Sequence, residues 1–171
     1  MRARPPKHAI TGNLAVLTAA LASVATTAAA QDTNSAVPAY CPDLQRVVAL
    51  AMTNERFAPI SGQPREGNFL DTSLPLTGWK NCSLYGRATY TCDSNEFKTD
   101  EEATQAQAAM VEQIKSCLGE TWAEADERSS PGYRVLHARA AAVSITLSTD
   151  ETDRKGHVVR FIMFVRGSQA R

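Results

Sequence analysis

The chain has 171 residues, 43% apolar and 21% charged, with 18 basic residues against 18 acidic ones. The length suits one domain. The balanced charge argues against a nucleic-acid binder or a polybasic membrane binder, and the apolar fraction is too high for a disordered chain.

Arg2, Arg4 and Lys7 make a basic start, followed by an uncharged stretch from Ala9 to Ala30 that ends Ala28-Ala29-Ala30. A basic start, an apolar middle and an Ala-x-Ala exit predict a cleaved secretory signal peptide over residues 1–30. Gly12, Asn13 and four threonines dilute the run too much for a membrane anchor. Arg2 and Arg4 are not adjacent, as twin-Arg export would require, and Val37-Pro38-Ala39-Tyr40 before Cys41 does not resemble a lipoprotein acceptor. Cleavage would remove three bases and no acid, leaving a mildly acidic product with no further run long enough to span a bilayer. The expected location is periplasmic or secreted, the periplasm being favoured by an Ala-heavy, Arg-over-Lys composition like that of bacterial exported proteins.

Residues 31–40 read as a flexible polar lead to a single domain over 41–171. A first helix is expected from Pro42 to Asn54, with Leu44, Val47, Val48 and Ala51 as its buried stripe. Residues 55–78 are irregular. Arg56 to Ile60 is a candidate edge strand, since Pro59 excludes a central place, and Ser61 to Asn68 is rich in turn residues. A loop this long is either functional or conceals strands.

Residues 79–93 predict a β-hairpin around Gly86. A three-residue loop, Gly86 to Ala88, would set Cys82 opposite Cys92 and Leu84 opposite Tyr90 on one face. The second helix, Asp100 to Leu118, has a capping box in Thr99 and Glu102, a stop at Gly119, and an expected stripe of Ala103, Ala106, Met110, Ile114, Cys117 and Leu118. Glu120 to Gly132 reads as a solvated acidic loop and Tyr133 to His137 as a strand. Val143 to Ser148 alternates as a strand with one wet face. Val158 to Val165 is apolar on both sides and should be central or doubly covered. The expected fold class is α+β: a two-layer domain whose antiparallel sheet is covered on one face by two amphipathic helices and stapled by two disulfides. No sequence repeat is visible.

Cys41, Cys82, Cys92 and Cys117 are spaced neither for zinc nor as C-x-x-C, so in an exported chain they predict two disulfides. The favoured pairing is Cys82–Cys92 with Cys41–Cys117. The alternative, Cys41–Cys82 with Cys92–Cys117, would follow from a two-residue hairpin loop.

No motif names a reaction. There is no nucleophile elbow and no phosphate loop, and His137 and His157 lie too far apart in the expected sheet to share a metal. The final hairpin is expected to bring His157 opposite residues near Ser148. Asp150 to Gly156 lacks the ligand spacing of a calcium loop. No cofactor is implied. The candidate binding residues are Arg56, Arg65, Phe69 and Trp79 around the irregular segment, because large aromatics and Arg are favoured at contact hot spots. The reading is a non-enzymatic exported binding protein whose partner is an unknown protein or a small envelope ligand. The alternatives are a small envelope hydrolase with a carboxylate or His/acid site and a module holding a ligand between helices and sheet.

Overall fold

The computed structural model describes residues 37–138 and 142–166, so the expected signal peptide and most of the lead lie outside the described residues. Tyr40, grouped by sequence with that lead, is buried: its ring packs edge-on to Trp79 at 6.0 Å and its hydroxyl donates to Gln113 Oε1 at 3.0 Å.

Helix α1 spans Cys41–Ala51, with Pro42 near its start and Asp43 in its first turn. Its buried residues include the expected Leu44, Val47, Val48 and Ala51. The helix stops three residues short of Asn54, where the Thr53 hydroxyl donates to Leu50 O and its oxygen accepts the Arg56 N–H. Arg56 to Ile60 is no edge strand. Ala58–Ile60 forms a 3₁₀ turn, and the hidden strands lie just beyond it: β1 (Ser61–Pro64) and β2 (Phe69–Thr72) pair antiparallel. The turn between them needs two left-handed residues, Gly67 (φ 73°) and Asn68 (φ 68°), the residue types that adopt this conformation most easily.

Strands β3 (Lys80–Tyr85) and β4 (Thr89–Asp93) form the expected hairpin, with Leu84 opposite Tyr90 and a three-residue loop. Helix α2 spans Asp100–Leu118. Thr99 Oγ1 accepts the Glu102 N–H at 3.2 Å, and Glu102 reaches back to the Lys98 N–H at 3.0 Å. Its buried stripe is rotated from the expected one: Gln107 and Val111 are buried, while Ala106 and Met110 are only half-buried. The cause is Gln107, whose side-chain amide donates to Leu147 O at 2.8 Å, giving a polar residue a place in the core.

The acidic stretch after α2 contains a strand, β5 (Trp122–Glu124), paired with β6 (Tyr133–Ala138). Strands β7 (Val143–Glu151) and β8 (His157–Val165) complete one antiparallel sheet of eight strands, ordered β1-β2-β3-β4-β8-β7-β6-β5. Two four-stranded meanders therefore meet along their last strands, β4 and β8. Each meander follows a helix, so the order helix-then-four-strands occurs twice in a chain without a visible sequence repeat. With two helices and two disulfides, the class is α+β.

The core joins Leu44, Val47, Val111 and Ile114 of the helices to Leu84, Tyr90, Ile145, Phe161 and Met163 of the sheet. Both disulfides of the favoured pairing are present. Cys41–Cys117 links the start of α1 to the end of α2 with Cα atoms 5.3 Å apart, and Cys82–Cys92 crosses the hairpin at 4.1 Å. No helix among the described residues is long and apolar enough to cross a membrane.

Candidate functional site

Side chains alternate across a strand, so the neighbours of the core residues make a second sheet face. The register fixes its rows. One row runs Asp71, Ser83, Thr91, Ile162, Thr146, Val135; the next runs Phe69, Tyr85, Thr89, Phe164, Ser144, His137. Short hydroxyl side chains fill the middle while large side chains stand around them. This explains why Ser144 and Thr146 are buried where a wet face was expected on β7: Tyr133 and Val135 on one side and Ile162 and Phe164 on the other overshadow them.

Strand β8 is central, as its apolar composition requires, but its second face is not fully covered. Phe164 is 42% exposed, beside Phe69 at 38% and Tyr85 at 50%. The Phe69 and Tyr85 rings contact at 5.3 Å between centroids. These three aromatics edge a groove of about 610 Å³. Its opposite end is polar. Arg160 Nε donates to Asp93 Oδ1 at 2.8 Å, its Nη1 lies 3.3 Å from Asp150 Oδ2, and Asn81 Nδ2 donates to Asp93 Oδ2 at 3.3 Å. A bulge between Lys80 and Ser83, with Asn81 at φ 52°, brings that amide onto the groove. Arg65 lines the rim and pairs with Asp71 at 3.2 Å.

Of the four residues singled out by sequence, only Arg65 and Phe69 reach this groove. Trp79 turns to the core, edge-on to Phe161 at 5.8 Å as well as to Tyr40. Arg56 lines a separate depression. Tyr85, Phe164, Arg160 and Asp93 were missed. Their signal was the alternation of β3, β4 and β8, which places them on the face away from Leu84, Cys92 and Phe161, but apolar residues on both sides of β8 read as coverage.

The histidines sit at different ends of the sheet. His137 pairs with Ser144 and His157 with Glu151, not with a residue near Ser148, because β7 runs on to Glu151. Seven positions along β7 separate those partners, roughly 23 Å at the rise of a strand. His157 Nδ1 lies 4.0 Å from Asp100 Oδ1. Glu124, read from sequence as part of a solvated loop, pairs with Arg134 at 2.9 Å. Asp93 and Asp150, the carboxylates nearest the groove's polar end, both address Arg160. Comparison with protein-family models, with curated proteins and with solved structures finds no match for this chain.

Proposed function

We propose that this chain is a small exported binding protein that works in the periplasm or outside the cell and uses the open sheet face as its contact surface. The architecture we infer is two-layered, with both amphipathic helices on the core side of the sheet and the other side left for a partner. The supporting observation is the aromatic row of Phe69, Tyr85 and Phe164, three large side chains held in one register row on β2, β3 and β8, with Thr89 of β4 between the last two, yet left partly in water. Exposed aromatics clustered around a concavity are the usual anchors of binding surfaces, and the paired Arg160 and Arg65 supply a polar border. The partner is a protein or envelope ligand that places an apolar group over this row. Arg160 takes both Asp93 and Asp150 into ion pairs, so these two carboxylates face a guanidinium rather than open space, an arrangement that suits a binding surface.

The test is affinity capture from an envelope extract with the oxidised chain and with the F69A/Y85A/F164A variant. A single stoichiometric partner held by the parent chain and lost by the variant supports the reading. Capture of that partner at equal strength by both proteins places the contact elsewhere.

A further inference from the structure

A second depression, of about 570 Å³, opens beside the end of α1; Arg56, Arg87 and Arg166 line it, with Met52, Glu55 and Val165 among their neighbours. None of its residues lines the aromatic groove. Thr89 pairs with Phe164, and the Val165 N–H donates to Ala88 O at 2.9 Å, so the hairpin loop that carries Arg87 lies beside the end of β8, next to Arg166. Like charges lining one depression repel. The backbone holds them there: the Arg166 N–H donates to Ala142 O at 2.7 Å. Arg56 joins them in a left-handed conformation, φ 52°, that a residue with a Cβ seldom adopts, its N–H fixed by Thr53 Oγ1 at 3.0 Å. Arg65, Arg134 and Arg160 all have carboxylate partners, whereas Arg56, Arg87 and Arg166 have none among the described residues. Among the described residues Glu55 is the one acid lining the depression, against three arginines.

We propose that Arg56, Arg87 and Arg166 form a phosphate-binding site. A guanidinium presents a planar fork of donors that matches the oxygens of a phosphate, and a dianion balances the local excess where a single carboxylate would not. The phosphate would sit among the three guanidiniums and turn their mutual repulsion into attraction.

The experiment titrates ¹⁵N-labelled oxidised protein with inorganic phosphate, with sodium chloride at matched ionic strength as the control. Phosphate should produce saturable shifts at the Arg56, Arg87 and Arg166 amides that chloride does not. The R87Q/R166Q variant, its fold checked by circular dichroism, should bind at least roughly tenfold more weakly, as expected for loss of charge-assisted bonds. In phosphate-free, low-salt buffer R166Q alone should raise the thermal midpoint, with the gain disappearing at high salt. Cosedimentation with phosphatidylcholine vesicles, with and without phosphatidic acid, distinguishes the sources. Binding to the acidic vesicles that free phosphate displaces identifies a lipid headgroup, and indifference to vesicles together with saturable phosphate binding identifies a soluble phosphate. Equal shifts with chloride, unchanged binding in the double variant, or a lowered midpoint in R166Q would overturn the site.

Discussion

Two tyrosine hydroxyls carry a consequence for stability. Burial pushes the Tyr40 phenol up to about 12 and the Tyr90 phenol higher still; the Tyr90 hydroxyl donates to Leu74 O at 2.8 Å. Above the ordinary value of 10.0 an unfolded tyrosine loses its proton while these two keep theirs. The folded state then binds more protons than the unfolded one, so stability falls as pH rises. The contribution is whole below pH 10 and is lost through about pH 12 and beyond. Urea midpoints measured from neutral pH upward should therefore drop steeply above pH 10, and more gently in Y90F. A Y90F profile as steep as the parent's would assign the loss to other groups. Gln107 shows what single residues conceal. Its polarity excludes it from any hydrophobic stripe read from sequence, and only Leu147 O on β7 makes its burial tolerable.

Elements whose signals are local were legible. Thr99, Glu102 and Gly119 mark α2, the i, i+3, i+4, i+7 spacing marks α1, and the Gly86 to Ala88 loop sets the hairpin register and with it Cys82–Cys92. Strands β1, β2 and β5 were not, because segments of three or four residues have too few side chains to show a period and take their form from the strand alongside. The two staples should differ in strength. Cys41–Cys117 closes a loop 76 residues long and Cys82–Cys92 one of 10. Loop-closure entropy assigns about 4.5 kcal/mol to the first and about 2.7 kcal/mol to the second. Denaturant unfolding of C41A/C117A should show the larger loss, and a larger loss in C82A/C92A would mean that the hairpin bridge holds more than its own loop.

At the scale of the molecule, two disulfides fit an oxidising compartment and supply stabilisation of the same order as the whole net stability of a small domain. Complete reduction should therefore abolish the cooperative thermal transition or lower its midpoint by more than ~15 °C. An unchanged midpoint in reductant would show that the core suffices alone. The candidate groove belongs to this scale too. It draws Phe69, Tyr85 and Phe164 from three strands, with the first and last 95 positions apart, and no local pattern links them.

What the residue order decided without help was the set of strongly periodic elements, the hairpin register and the use of all four cysteines as crosslinks, since capping, turn geometry and side-chain period act over a few residues. The pairing of the two meanders along β4 and β8, the row of aromatics left partly in water and the approach of the Arg87 loop to the end of β8 were settled only by tertiary structure. Those features depend on which distant strand supplies the next rung of the ladder, which no run of a few residues encodes.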